Sequence, residues 1–314
     1  MPFRTPAEVD VPVPKVLRRS IGKYSGPVIR GTVPAFDSIP TMGDTHLDRA
    51  FWLTTMVESG GKAGSVMMAD GTAVTAALEQ LVAVYPRQMS QQGTLFKMLR
   101  RLDFVVPVPY YLPFEDEGWF LGDDGVLRII ETGKAVTTKT IRDTFTPMGG
   151  QVPARGKQWN QAKKWAIAFH QLFAMPMTIP IQIKYGHEQL IKFGQRHRSR
   201  KMDRQTVEEL AYRGEINNPN PFPDNPINDL AMAMWWNYKV NAPSPAMTRL
   251  KKVADQANPK GTVFGELLIK ELRTANYGRW ATNRYDRSRQ HAIEVWPKEL
   301  FEGPTAVMPE RRKK

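Results

Sequence analysis

Residues 54–81, TTMVESGGKAGSVMMADGTAVTAALEQL, decide how the chain reads. The segment opens on the end of a helical pattern, crosses a glycine pair and enters a short β-type stretch. Upstream, Asp44 or Thr45 is a suitable N-cap for HLDRAFWLTTMVES. Leu47, Phe51, Thr54, Thr55 and Glu58 fall near one stripe at helical spacing. Gly60-Gly61 then favours a C-cap. SVMMADGTAVT predicts a hairpin: Ser65–Ala69, a turn at Asp70-Gly71, and a brief return strand. From Ala76 to Tyr85 the helical period returns and ends before Pro86.

Working outward, Gln92–Leu102 reads as a further helix. Gly118–Phe120 and Val126–Ile130, joined by a turn at Gly122–Gly125, read as a β-hairpin. Residues 144–156 read as a loop. Long helices follow over Lys157–Met175, Ile183–His197, Asp203–Arg213, Asn228–Val240, Ser244–Ala257, Thr262–Ala275 and Arg279–Val295. NNPNPFPDNP, residues 217–226, is a rigid loop between two of them. At the other end, Pro2, Pro6, Pro12, Pro14, Pro27, Pro34 and Pro40 break any helix across residues 1–44. That stretch reads as an extended arm lying across a neighbouring subunit or its own domain, or as a disordered tail. The expected organisation is an arm at 1–44, one domain at 45–300 with a β-rich insertion near 105–150, and a basic tail at 301–314. The fold class is α+β, predominantly helical.

The chain has 314 residues, 41% of them hydrophobic, which suffices for a core and excludes a wholly disordered protein. Lys and Arg number 44 against 31 Asp and Glu, a formal net charge of +13. That excess predicts attraction to polyanions: nucleic acid, acidic membrane or an anionic wall polymer. Cysteine is absent, so disulfides, thiolate metal sites and Cys nucleophiles are excluded. No apolar run reaches the ~18 residues of a membrane span. The N-terminal residues lack the apolar stretch of a secretory signal.

The segment at 54–81 places one acid at a helix end and a second in a hairpin turn. Glycoside hydrolysis uses such a pair. One carboxyl sits in partly apolar surroundings and keeps the proton it gives to the glycosidic oxygen. The other stays ionised near solvent, to activate water or steady the oxocarbenium-like transition state. Glu58, beside Phe51, Thr54, Thr55, Met56 and Val57, suits the first role. Asp70 suits the second, with the Thr75 hydroxyl available to hold a water or a carboxylate. Each residue taken singly has a structural reading too, since Asp-Gly is a common hairpin turn.

A Glu at a helix end, followed by a short hairpin with Asp and Thr, resembles the lysozyme superfamily. Phage-type lysozymes share the order Glu, Asp, Thr, with a shorter Glu-to-Asp spacing. Here eleven residues separate Glu58 from Asp70, and four separate Asp70 from Thr75. Goose-type lysozymes and chitosanases are more distant likenesses, and DGTAVTA is similar to a chitosanase-type stretch in which Gly stands where this chain has Ala76-Ala77. The resemblance implies a lysozyme-like domain with added helices. It implies cleavage of the β-1,4 bond between N-acetylmuramic acid and N-acetylglucosamine, with Glu58 as acid, Asp70 and Thr75 assisting, and no cofactor. A lytic transglycosylase using Glu58 alone is the variant chemistry. Phage lysozymes are often virion parts, which implies a virion protein acting in the host periplasm or cell wall during genome ejection. Its partners would be peptidoglycan glycan strands and, through the arm, other virion proteins. The competing class is a structural virion protein, of an internal core or a tail, with no activity.

Two further features bear on partners. In WWNYKVNAPSPA, residues 235–246, Trp236 and Tyr238 offer flat faces for sugar rings and Asn241 a hydrogen-bonding amide. The competing reading makes Trp235 and Met232 core, with Pro243 and Pro245 starting a helix. Basic runs at Arg100-Arg101, Arg196–Lys201, Arg284–Arg289 and Arg311–Lys314 could meet DNA phosphates or wall carboxylates, or simply be solvated helix ends. The five histidines have no metal-binding spacing such as HExxH, and neither a P-loop nor a dinucleotide fingerprint is present.

Overall fold

The computed structural model describes residues 11–35, 45–78, 81–85, 91–102, 112–196, 226–241, 243–254, 261–274 and 279–295. The predicted helix at Asp203–Arg213, the loop at 217–226, most of the basic run at 196–201 and the tail at 301–314 lie outside them. Among the described residues there are nine α-helices and several small antiparallel sheets, so the chain is α+β with helix in the majority. It divides into two compact units, where one domain over 45–300 was expected. The first comprises Met1–Asp37 and Ser59–Tyr185; the second comprises Ser38–Glu58 and Gly186–Lys314.

The first unit is built on a five-stranded sheet. Its strands are β1 (Leu17–Ile21), β2 (Tyr24–Ile29), β5 (Val66–Met67), β6 (Thr75–Ala76) and β7 (Leu81–Val82), neighbours in that order. Two further strands, β3 (Val33–Pro34) and β4 (Lys62–Ala63), pair separately. The stretch read as an arm therefore supplies three strands. Its prolines do not forbid this. Pro27 has no N–H to offer, but its carbonyl accepts from Met68 N–H at 2.9 Å. Gly22, at φ 59°, leads a two-residue turn that sets the Leu17↔Val28 to Ile21↔Tyr24 register. β1 lies at the sheet edge with Arg18 and Arg19 exposed, charges that discourage further strand pairing.

The helix expected over Ala76–Tyr85 is instead the β6–β7 pair. Ala77 takes φ 70°, which interrupts a right-handed helix. Its neighbours find their partners elsewhere. Leu78 N–H donates to Gln182 Oε1 at 3.2 Å, and Ala83 N–H to the Val74 carbonyl at 2.8 Å. Gln182 is itself satisfied, donating through Nε2 to the Phe173 carbonyl at 2.8 Å and to Thr178 Oγ1 at 3.1 Å.

Helix α1 (Thr45–Ser59) and helix α2 (Thr94–Leu102) fall where the pattern places them. The hairpin of β8 (Trp119–Leu121) and β9 (Leu127–Ile129) also forms as expected. It is no loose insertion. Leu112, Phe114, Trp119, Leu127 and Val136 lie in the main core of the unit. Gln92 fastens the hairpin through bonds to Leu127 N–H and to the Leu127 and Val136 carbonyls, at 2.7–2.9 Å. Helix α3 (Thr138–Phe145) forms within the stretch expected to be a β-rich insertion and ends just inside the expected loop at 144–156. Thr137 caps it, its hydroxyl accepting from Thr140 N–H at 3.1 Å. Helix α4 (Lys157–Ala174) is the centre of the core. Trp165, Phe169 and Phe173 recur at i, i+4 and i+8, and every residue from Ala168 to Ala174 is buried. Phe145 meets Trp165 at 4.6 Å and Phe169 at 5.6 Å between ring centroids. Pro176 closes the helix, and α5 (Ile179–Arg196) begins three residues on.

The second unit is helical in its described residues. It comprises α1 up to Glu58, the later part of α5, α6 (Pro226–Asn241), α7 (Pro243–Ala254), α8 (Gly261–Thr274) and α9 (Arg279–Val295). α6 is buried without interruption from Asn228 to Tyr238. It packs closely on α8: a Cβ at Gly265 would lie 2.2 Å from Asn228 Oδ1. Two buried carboxylates have basic neighbours. His187 Nε2 lies 2.9 Å from Asp48 Oδ1, and Arg49 lies 4.0 Å from Asp229. No single described helix is long and apolar enough to cross a membrane.

Candidate active site

Asp70 and Thr75 are brought together within the first unit. The chain leaves β5, turns through Asp70-Gly71-Thr72 and returns as β6 at Thr75. Asp70 is half-buried rather than fully exposed. Its Oδ1 accepts from Thr72 N–H at 2.9 Å and from the Thr72 hydroxyl; its Oδ2 accepts from Thr75 Oγ1 at 3.0 Å. The Thr72 and Thr75 hydroxyls lie 2.7 Å apart. One carboxylate and two hydroxyls thus form a triangle of close oxygens at the head of the hairpin, with two hydroxyl protons to serve its three sides, of the kind in which an Asp side chain imitates a backbone turn. Thr72 and Thr75 are both buried, at 9% and 5% exposure, so the half-buried Asp70 is the member of the group nearest solvent.

The backbone here is strained. Among the described residues, three that are not glycine have positive φ: Ala73 at 66°, Ala77 at 70° and Met148 at 61°. Two of them flank Thr75 by two positions on either side. Such conformations cost of order 1–3 kcal/mol each and cluster at functional sites. Buried contacts hold them in place, since Ala73, Val74, Ala76 and Ala77 are all within the core.

The third strained residue leads to the same place. Met148, Gly149 and Gly150 all have positive φ. A Cβ at Gly150 would lie 2.9 Å from Tyr24 Cδ1. A Cβ at Gly71 would lie 3.1 Å from Tyr24 Cε2 and Cζ and 3.2 Å from its hydroxyl. The Tyr24 ring therefore fits a slot between the Asp70 turn and the 148–150 turn, tightly at Gly71 and more tightly at Gly150, where the positive φ also favours glycine. Tyr24 is half-buried, and Lys23 Nζ stands 5.4 Å from its ring centroid. The sequence offers no sign of this neighbour. Tyr24 lies 46 positions before Asp70 (70 − 24), in the stretch read as an arm.

Glu58 occupies the last turn of α1, as the pattern requires. Phe51, Thr54, Thr55 and Val57 are buried, while Met56 and Glu58 are half-buried. The division into units falls between Glu58 and Ser59, so Glu58 belongs to the second unit and Asp70 and Thr75 to the first.

The expected sugar platform is corrected. Trp236 and Tyr238 are each 3% exposed and Trp235 is fully buried, so none has a ring face for a glycan. α6 is buried all round among the helices it packs on, which turns an aromatic run into core. Backbone alone is described for Asn241. Among the histidines, His170 is fully buried, with Nδ1 2.6 Å from the Gly64 carbonyl and Nε2 3.2 Å from that of Pro12. No group of three or more metal-ligating side chains gathers among the described residues. No protein-family model matches the chain, and neither a curated protein nor a solved structure matches it.

Proposed function

We propose that this protein is a peptidoglycan hydrolase carried in a phage virion, cleaving the β-1,4 bond between N-acetylmuramic acid and N-acetylglucosamine. The observation that carries the reading is the Asp70–Thr72–Thr75 triangle, flanked by two strained alanines and preceded in the chain by a helix that ends on a half-buried glutamate. A turn that only needed to reverse the chain gains nothing from two left-handed alanines. A site that must hold a carboxylate and a hydroxyl at fixed positions does gain from them.

The lysozyme-type order of the residues assigns the acid to Glu58, which gives its proton to the leaving glycosidic oxygen as the C–O bond breaks. Asp70 receives a proton from the attacking water, or steadies the positive charge on the sugar, and Thr75, which donates to Asp70 Oδ2 at 3.0 Å, holds that carboxylate in place. The proton balance closes through solvent between turnovers. If Glu58 alone carries the chemistry, it acts as acid and then as base, and the product is a 1,6-anhydro sugar. The enzyme would act on the host wall in the periplasm during genome delivery.

A zymogram on purified peptidoglycan tests the proposal. Wild type clears the gel and Glu58→Gln does not. Mass spectrometry of the released muropeptides then separates hydrolase from transglycosylase. A second reading has its own support, because all three donors around Asp70 are local and a turn alone can account for them. On that reading the chain is a structural virion protein that binds neighbours or DNA, and neither variant clears.

A further inference from the structure

We propose that Tyr24 and Lys23 form a sugar-binding subsite beside Asp70, with the Tyr24 ring and hydroxyl meeting a pyranose and the Lys23 ammonium meeting a carboxylate carried by that sugar. The proposal deepens the hydrolase reading and rests on it for the identity of the glycan. Four observations within the first unit carry it. Tyr24 is half-exposed although it stands at the start of a strand whose remaining residues, Ser25–Ile29, are all buried. Its hydroxyl end reaches Gly71, the residue next to Asp70, where a Cβ would lie only 3.1–3.2 Å from the ring and hydroxyl. Its opposite edge is held by Gly150, in a turn of three consecutive left-handed residues that leaves Met148 63% exposed beside it. Lys23 is exposed, and its ammonium lies over the same ring.

An amphipathic ring clamped at both edges loses little freedom when a ligand arrives, which favours binding. A cation placed over it selects for charge. Neutral chitin oligosaccharides carry no carboxylate. Muramic acid carries a lactyl group, and its peptide supplies further carboxylates. The subsite therefore prefers the acidic wall glycan, and the preference weakens as salt screens the lysine.

The test uses the full chain with Glu58→Gln, so that the probes stay intact. The probes are a muramyl-peptide tetrasaccharide and neutral chitotetraose, titrated calorimetrically at two salt concentrations. Tyr24→Ala is expected to weaken both by about tenfold. Lys23→Gln is expected to weaken only the acidic probe, severalfold, and to flatten its salt dependence. Should Tyr24→Ala fail to fold, the exposed Lys23 still decides the matter. An unchanged ratio of acidic to neutral affinity in Lys23→Gln overturns the subsite. If wild type clears peptidoglycan and that ratio is unchanged, the subsite fails and the hydrolase stands. If wild type does not clear, the hydrolase fails, and failure of both probes to bind overturns the subsite as well.

Discussion

The Asp70 carboxylate accepts from three donors that all lie within five residues of it. Asp70→Ala leaves Thr72 N–H and two buried hydroxyls to find other partners. The expected loss is about 1–3 kcal/mol by urea unfolding, and Asp70→Asn, which keeps one acceptor, loses less. Two glycines with positive φ separate backbone strain from contact. Gly60, at φ 69°, has nothing within 4 Å of an added Cβ, so Gly60→Ala should cost only the left-handed penalty of about 1–2 kcal/mol. Gly150, at φ 83°, would in addition press on Tyr24. Gly150→Ala should therefore cost more than Gly60→Ala in the same unfolding experiment, and equal losses would deny the contact. At this scale the chemistry-bearing residues of the 54–81 stretch could be read from the chain, because Asp-Gly and the helix-terminal Glu are local signals. Tyr24 could not be read, because what makes it a neighbour is a fold contact with two glycines far along the sequence.

Among the elements, α4 shows periodicity working and β6–β7 shows it failing. Trp165, Phe169 and Phe173 mark one face of a helix that becomes the core of its unit, and the sequence pattern predicts it to within a residue. Trp165→Ala removes the ring that touches Phe114, Phe145 and Phe169 and should destabilise by about 3–5 kcal/mol, read from the shift of the unfolding midpoint. AALEQLVAVY also has helical periodicity, yet the sheet takes it. Ala76, Ala77, Leu78, Ala83 and Val84 are buried, and Ala77 takes a left-handed backbone that a right-handed helix does not include. The aromatic run of α6 carried the opposite ambiguity. Trp and Tyr serve equally in a core and on a sugar platform, and burial alone decides between them.

Across the molecule, charge sets two expectations. In the second unit Glu271 accepts from Arg249 at 3.1 Å and from Lys252 at 2.5 Å. Burial opposes its ionisation, but the hydrogen bonds and charges of Lys252 and Arg249 together hold the carboxyl below its ordinary value of 4.5. A depressed acid contributes stability that is complete above the ordinary value and is lost as pH falls through the folded one. Lys252→Ala should therefore reduce the acid-side slope of stability against pH, measured by thermal unfolding between pH 6 and pH 3 as rough limits. The net charge of +13 leads to the second expectation: retention on peptidoglycan or DNA should fall steeply with added salt.

From the amino-acid order alone came the helical majority, nearly every long helix, the hairpin around the Gly122–Gly125 turn, and the Glu58, Asp70 and Thr75 series. Each is written in spacing or in turn chemistry over a few residues, where local energy dominates. Tertiary structure alone decided that a proline-rich stretch becomes three strands, that the chain divides at Glu58, that Trp236 and Tyr238 go inside, and that Tyr24 stands against the Asp70 turn. Those outcomes depend on which distant segment supplies the missing hydrogen bond or covers the apolar face, and no local pattern carries that information.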